Sequence, residues 1–151
     1  MTKPISTRVH GILDYMTAAF LHTLPRVMGW SGTATCVMDT AGVAATTYSL
    51  MTRYEMGVLK VLPMKAHLTL DAVSGAGLIG AALLLEDEDP DVRATIAAIG
   101  LYEIGAALLT QTRSPVPPGR KVRQVEDRAA SVMGRAKRAV TQRATAAVQG
   151  L

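Results

Sequence analysis

The chain has 151 residues, 49% apolar and 19% charged, which suffices for one domain with a modest core. Residues 111–151 carry nine Lys or Arg and two acidic residues, whereas residues 1–110 carry seven basic and ten acidic residues, so a basic tail follows a weakly acidic body. Such a tail indicates an anionic partner. The single cysteine, Cys36, excludes an internal disulfide and a metal site made of cysteines alone.

Four apolar stretches of about 20 residues follow one another, each long enough to cross a hydrocarbon core of about 30 Å as a helix. They cover residues 9–28, 33–52, 66–85 and 92–110. They lack the broad polar face of helices in a soluble bundle. We therefore predict an all-α fold with four transmembrane helices, and the alternative is a soluble four-helix bundle with unusually apolar helices.

Basic residues mark alternate connections between these stretches. They occur at the N-terminus, between the second and third stretches and in the tail, whereas the connection before the fourth stretch reads EDEDPDVR. The positive-inside rule then places both termini in the cytoplasm. The basic start of the chain is typical of a secretion signal, but His10 and Asp14 interrupt its apolar part, so we expect a retained first helix.

Two motifs occur twice in the chain. HGILDY from His10 and HLTLDA from His67 each place a histidine and an aspartate four residues apart at the start of an apolar stretch, and YExG occurs at Tyr54 and Tyr102. This order predicts a tandem repeat of a two-helix unit, with both copies oriented alike. The predicted domains are a four-helix membrane domain at 1–112, with repeats at about 8–60 and 65–112, a Pro-rich linker at 113–119 and a basic tail at 120–151.

The repeated histidines and aspartates predict a polar cluster inside the membrane. Residues i and i+4 share a helix face, so each histidine lies beside its own aspartate, and both pairs are expected at similar depth. Carboxylates at that depth require a partner, a proton or water. The predicted cluster consists of His10, Asp14, Arg53, Glu55, His67, Asp71 and Glu103.

Four interpretations of this cluster remain open from the sequence. The first is a structural network, in which each histidine bonds its aspartate and Arg53 bonds Glu103 or Glu55. The second is a metal site, although the Glu-x-x-His spacing of carboxylate-bridged sites is absent. The third is a path for protons or ions, and the fourth is a haem held by His10 and His67. No motif for nucleophilic catalysis or phosphate binding is found, so no catalytic residue is predicted.

The basic tail has apolar residues at helical spacing between its charges. This pattern predicts an amphipathic helix on the cytoplasmic leaflet that contacts anionic lipid headgroups, with a disordered tail as the alternative. Nucleic acid is the weaker partner, because no recognition motif accompanies the charge. The predicted membrane-surface contacts are Arg120, Lys121, Arg123, Arg128, Arg135, Lys137, Arg138 and Arg143.

Three segments resemble the SPW-repeat family of small bacterial integral membrane proteins. They are RVHGILDY at 8–15, TRYEMGVLKVLPMKAHLTLD at 52–71 and the second YExG. Where the family has Ser-Pro-Trp, this chain reads LPRVMGW, which retains Pro25 and has Trp30 nearby. The resemblance covers about residues 8–113 and implies a four-helix fold in the bacterial inner membrane, without implying an activity.

Two functions are therefore predicted for a multi-pass inner-membrane protein. The first is a non-enzymatic accessory or scaffold subunit of a larger membrane complex or homo-oligomer, without a cofactor. The second is a redox, metal-binding or haem-binding protein that uses the His/Asp/Glu cluster, and conduction of protons or ions is a further alternative.

Overall fold

The structure is a computed structural model that describes residues 3–117 and 120–149, without the side chains of residues 120–121, 139–140 and 143–149. Within these residues the fold is all-α, as predicted, and contains five helices. The chain divides into two compact units, Met1–Pro117 and Pro118–Leu151. The helices are α1 (Thr7–Val27), α2 (Gly32–Met51), α3 (Met64–Leu84), α4 (Pro90–Leu109) and α5 (Arg120–Gln149).

The first four helices form two helical hairpins, because α1 packs along α2 and α3 packs along α4. Side-chain caps define two of the helix starts: Ser6 Oγ accepts a hydrogen bond from Val9 N at 3.3 Å, and Ser31 Oγ accepts one from Ala34 N at 3.1 Å. The α4 helix starts with Pro90, which suits a first helical position because its missing N–H would have no partner there.

Two short backbone pairings close the hairpins into one unit. The residue after α2, Thr52, pairs in parallel with Leu62 before α3, and the residue after α4, Thr110, pairs in parallel with Ile5 before α1. In these pairings Ile5 corresponds to Leu62, 57 residues later, and Thr52 corresponds to Thr110, 58 residues later. His10 and His67 are also 57 residues apart. The two hairpins therefore have equivalent positions around an approximate twofold axis.

The YExG match does not follow this equivalence. Tyr54 lies in the connection after α2, whereas Tyr102 lies within α4, two turns before its end. The residue of the second half that is equivalent to Thr52 is Thr110, eight positions beyond Tyr102. Tyr54 and Tyr102, 48 residues apart, therefore occupy different positions in the two hairpins. His10 and His67, 57 residues apart, occupy equivalent positions.

Beside an apolar core, the first four helices bury several polar side chains and expose large apolar ones. His10, His67 and Glu103 are buried, while Met16 of α1 and Leu101 of α4 are more than 60% exposed. Exposed threonines satisfy their hydroxyls on their own helices: Thr40, Thr47 and others donate to the carbonyl oxygen four residues earlier. An apolar exterior with internally satisfied polar groups is the arrangement that lipid requires.

Two helices within the described part of the chain, α3 and α4, are long and apolar enough to cross a membrane. The α1 and α2 helices are long enough to cross a membrane but are less apolar than α3 and α4. Polar residues lie within them, namely His10, Asp14, His22 and Asp39. By length and composition, α3 and α4 are thus candidate membrane spans, and the arrangement of four spans stays a prediction.

The α3–α4 contact depends on two glycines. A Cβ atom added to Gly75 would lie 2.4 Å from the carbonyl oxygen of Gly100, and one added to Gly100 would lie equally close to the carbonyl oxygen of Gly75. Backbone cannot give way as a flexible side chain can, so any larger residue would separate the helices. The absence of side chains here lets the two backbones touch directly.

The α5 helix is amphipathic, as the tail sequence predicts. Its 30 residues extend over about 45 Å at 1.5 Å per residue. Val125, Val132 and Met133 are exposed apolar residues of this helix. Among the predicted membrane contacts, the exposed side chains are Arg123, Arg128, Arg135, Lys137 and Arg138, while those of Arg120, Lys121 and Arg143 lie outside the described residues.

Candidate functional site

The two repeated motifs meet at one buried point. The Nε2 atoms of His10 and His67 lie 3.1 Å apart, and each lies 3.0 to 3.3 Å from oxygens of both Asp14 and Asp71. The four side chains are at most 9% exposed. The contacts of each histidine with the aspartate of the other motif, 3.0 and 3.1 Å, are shorter than those with its own, 3.3 Å. We call these four residues the His/Asp site.

Tertiary pairing brings the four residues together. Residues i and i+4 place one histidine and one aspartate on the same face of α1, and again on the same face of α3. The pairing of Ile5 with Thr110 and of Thr52 with Leu62 fixes where α1 and α3 begin. Each motif therefore supplies half of the site.

Two threonines orient the imidazole rings. Thr110 Oγ1 lies 2.8 Å from Nδ1 of His10, and Thr52 Oγ1 lies 2.8 Å from Nδ1 of His67. Each hydroxyl donates its own hydrogen to the carbonyl oxygen four residues earlier, at 2.6 Å. The hydroxyl must then accept from the ring, so each Nδ1 carries a hydrogen, and an imidazole in its neutral form then presents a lone pair at Nε2.

Further polar groups hold Asp14. The Tyr54 hydroxyl donates to Asp14 Oδ2 at 2.8 Å, and Ser49 Oγ donates to the same oxygen at 3.3 Å. Burial raises the pKa of the Tyr54 phenol well above its ordinary value, and the charge of Asp14 acts in the same direction, so Tyr54 remains a donor. The tyrosine ring also lies 5.4 Å from that of His67.

Glu103 reaches the same region from α4. It is 6% exposed, and it lines a cavity of about 20 Å³ together with His10, Asp14 and Asp71. Its Oε2 atom has no hydrogen-bond partner among the described residues. Five of the seven residues predicted for the cluster thus surround one point.

The other two predicted residues lie in the connection between α2 and α3. Glu55 is exposed, and its Oε2 accepts a hydrogen bond from Thr7 Oγ1 at 2.9 Å. Arg53 is half-buried, and its backbone N–H donates to Leu62 O at 2.8 Å, within the pairing that precedes α3. The Glu55 contact connects this loop to α1, and the backbone contact of Arg53 connects it to the segment before α3.

The third histidine belongs to a separate cluster at the other end of the first hairpin. His22 Nδ1 lies 2.8 Å from Asp39 Oδ1, and Arg26 forms two hydrogen bonds to the Asp39 carboxylate at 2.8 and 2.7 Å. These side chains are 30–57% exposed. The core beside them, which includes Leu21, is apolar, so among the described residues no polar path connects this cluster to the His/Asp site.

The arrangement has the ligand types and the spacing of a metal site. Ligand atoms of the four residues lie within 4.8 Å of one another. A tetrahedral site with bonds of about 2.0 to 2.1 Å has edges of about 3.3 Å, which the distances of 3.0 to 3.3 Å between each Nε2 and the carboxylate oxygens approach. A histidine ligand that donates its other ring N–H to an oxygen is typical of metal sites.

A haem does not fit this geometry. Axial coordination places the macrocycle between the two imidazoles, whereas the Nε2 atoms are 3.1 Å apart. The adjoining cavity of about 20 Å³ is far too small for a porphyrin. Of the cofactors considered from the sequence, the geometry favours a single ion over a haem.

Sequence reasoning missed Thr52, Thr110 and Tyr54 as members of the site. A signal was present, because Thr52 and Thr110 are each the last residue of an apolar stretch and are separated by nearly the same offset as the two histidines. Comparison of the chain with known protein families, curated proteins and solved structures finds no significant match. The resemblance to SPW-repeat proteins therefore stays a prediction.

Proposed function

We propose that this chain is a multi-pass protein of the bacterial inner membrane that binds one divalent transition-metal ion at the His/Asp site. The observation that carries this proposal is the convergence of both histidine Nε2 atoms and both carboxylates, with each Nδ1 held by a threonine. Oriented imidazoles that offer lone pairs to one point are prepared for a cation.

The charges of the site favour the same conclusion. Two buried carboxylates beside two neutral imidazoles carry a net charge of about −2, which is costly in an apolar interior unless compensated. With both Nε2 atoms protonated, two cationic rings would have nitrogens 3.1 Å apart, and a single proton would compensate only one of the two carboxylates. One divalent ion neutralises both carboxylates and accepts both lone pairs, so it resolves the repulsion and the charge together.

The ligand set narrows the choice of ion. Imidazole nitrogens suit zinc, iron and other first-row ions, whereas carboxylates extend the range to manganese. No cysteine or methionine sulfur belongs to the His/Asp site. We therefore propose Fe²⁺, Mn²⁺ or Zn²⁺ rather than a soft ion such as Cu⁺.

The membrane placement is supported by the exposed surface of the first four helices. On α1, Val9, Ile12, Met16 and Phe20 are 43–64% exposed, although this helix does not meet the criterion for a membrane span by itself. Its polar residues His10 and Asp14 instead contact α3 inside the protein. All four helices are therefore proposed to cross the membrane, with both termini in the cytoplasm and α5 on anionic headgroups.

The metal-binding proposal is tested on detergent-purified protein by elemental analysis and by titration with Zn²⁺ and Fe²⁺. We expect one ion per chain, with loss of stoichiometric binding in His10→Ala and in His67→Ala. His22→Ala is the matched control, because it removes a histidine outside the site and should leave binding unchanged. A purified protein that binds neither ion at one per chain would favour the accessory or scaffold function, with the four residues as a proton-bridged frame.

The topology is tested by cysteine labelling in intact cells. In a Cys36→Ser background, Glu88→Cys is expected to react with a membrane-impermeant maleimide, whereas Lys60→Cys should react only after the cells are lysed. Reaction of Lys60→Cys in intact cells would contradict the proposed orientation.

A further inference from the structure

The cavity beside the His/Asp site contains a feature that metal binding by four ligands does not explain. Glu103 is only 6% exposed, and its Oε2 atom has no hydrogen-bond partner among the described residues. A buried carboxylate oxygen without a donor is costly. Ser74 forms a hydrogen bond with the same carboxylate, so Oε2 is the one Glu103 oxygen that still needs a donor from outside the described residues.

This carboxylate breaks the approximate twofold symmetry of the site. The position in α2 equivalent to Glu103 is occupied by Ala45, which lies across the same cavity. The two motifs supply identical ligands, but only the second half adds an acidic group beside them. The small side chain of Ala45 leaves the space into which the carboxylate faces.

The size and lining of the cavity fit one water molecule. Its volume is about 20 Å³, whereas a buried water needs at least about 10 to 15 Å³ and two to four polar partners. Besides Glu103, His10, Asp14 and Asp71, its lining includes the hydroxyl-bearing residues Thr17, Tyr48 and Tyr102. The polar partners are therefore available on several sides.

We propose that this cavity holds a water molecule that binds the metal ion and donates a hydrogen bond to Glu103 Oε2. Water is the natural bridge between a cation and an anion, because its lone pair faces the metal while an O–H group faces the carboxylate. This inference rests on the proposed metal-binding function. The water would be a fifth ligand beside the two histidines and two aspartates, so it expands the coordination and is the exchangeable position that a small neutral ligand of one or two heavy atoms can take.

Such a ligand has a short route to the cavity. Leu13, Thr17 and Tyr102 line both the cavity and an apolar groove between α1 and α4. The Thr17 hydroxyl lies 3.5 Å from that of Tyr102. A single layer of side chains thus separates the metal position from the region that acyl chains contact, so a small neutral molecule dissolved in lipid can reach it when these side chains move.

The experiment uses full-length protein loaded anaerobically with Fe²⁺, with nitric oxide as the probe. Nitric oxide is neutral, diatomic and soluble in lipid, and it gives a ferrous nitrosyl electron paramagnetic resonance signal when it binds directly to the ion. We expect about one nitrosyl signal per bound iron. Ala45→Leu, which fills the cavity while keeping all four ligands and Glu103, should retain iron and lose most of the signal.

Ala44→Leu is the matched control, because it makes the same change at the adjacent, exposed position of α2. It should retain both the iron and the nitrosyl signal. Glu103→Gln is a second test that does not depend on the folding of Ala45→Leu, because it preserves the side-chain volume. Loss of the anionic acceptor should weaken Fe²⁺ binding by about 10- to 100-fold, the effect typical of a group that supports a metal ligand.

The results separate this inference from the proposed function. Iron bound at one per chain without a nitrosyl signal, or with Fe²⁺ affinity unchanged in Glu103→Gln, would overturn the water site and leave metal binding intact. A nitrosyl signal that persists in Ala45→Leu would place the open position elsewhere and also overturn it. Failure of the wild-type protein to bind iron, zinc or manganese would overturn both.

Discussion

The α1–α2 and α3–α4 hairpins carry the same polar residues at one end and different residue types at the other. At the end with the His/Asp site, both supply a histidine, an aspartate four residues later and a threonine that holds the ring of the histidine from the other hairpin. At the far end, an ion-pair cluster in the first hairpin stands where the second has apolar packing. The equivalent residues are His22 and Ile79, Arg26 and Leu83, and Asp39 and Ala97.

The contact geometry confirms this equivalence at one point. A Cβ atom added to Gly42 would lie 2.8 Å from the His22 ring, and one added to Gly100 would lie 2.9 Å from Cγ1 of Ile79. The two hairpins thus place different side chains at one position of a common frame. This comparison teaches that the far end of the common frame accepts either charged or apolar residues, whereas the His/Asp site uses the same residue types in both hairpins.

The largest effect on metal binding is expected for substitution of the histidines, and it should be equal in the two hairpins. His10→Ala and His67→Ala each remove one of four proposed ligands, and each leaves the two carboxylates poorly compensated. We expect loss of stoichiometric metal binding in both, measured by titration with Zn²⁺. A variant of one hairpin that binds normally while its equivalent does not would show that the two motifs are not equivalent.

A smaller effect is expected for the threonines that orient the rings. Thr52→Val and Thr110→Val retain the side-chain shape but remove the acceptor for Nδ1–H, so the rings lose their preferred tautomer and orientation. Each should weaken metal binding by about 10- to 100-fold. The measurement is competition with a chelator of known affinity. Thr47→Val, at an exposed threonine of α2, is the control and should bind as wild type does.

A third prediction contrasts the two glycines Gly100 and Gly42. Gly100→Ala would place a Cβ atom 2.4 Å from a backbone oxygen of α3, and should destabilise the protein by about 1 to 3 kcal/mol. Gly42→Ala meets the side chain of His22, which is partly exposed and can rotate away, so its effect should be smaller. Thermal unfolding of both variants in the same detergent measures the difference, and equal loss would contradict the interpretation.

The smallest effect is expected at the far end of the first hairpin. Asp39→Asn removes the charge that joins His22 and Arg26, whose side chains are 37% and 57% exposed. Exposed ion pairs contribute about 0.2 to 1 kcal/mol, so the melting temperature should change little and metal binding should be unaffected. A loss of metal binding in Asp39→Asn would show that this cluster communicates with the His/Asp site.

Much of the local structure could be predicted from the sequence because it depends on short-range patterns. The apolar stretches gave the first four helices to within a few residues, and the tail spacing gave an amphipathic α5. The i, i+4 spacing correctly placed each histidine beside its aspartate. The positions of close helix contact depend on packing: Gly77 and Gly80 have open space around them, whereas the backbones of α3 and α4 touch at Gly75 and Gly100.

The sequence by itself determined which residues carry the chemistry, because two copies of one histidine–aspartate motif are visible without any structure. Only the tertiary structure decided that the copies join in one four-residue site, that Thr52 and Thr110 hold the rings, and that Glu103 has an unsatisfied oxygen beside a small cavity. The physical reason is the range of the interactions. Helix periodicity relates residues three or four apart, whereas these contacts join residues 15 to 100 positions apart, which only the packing of the two hairpins brings together.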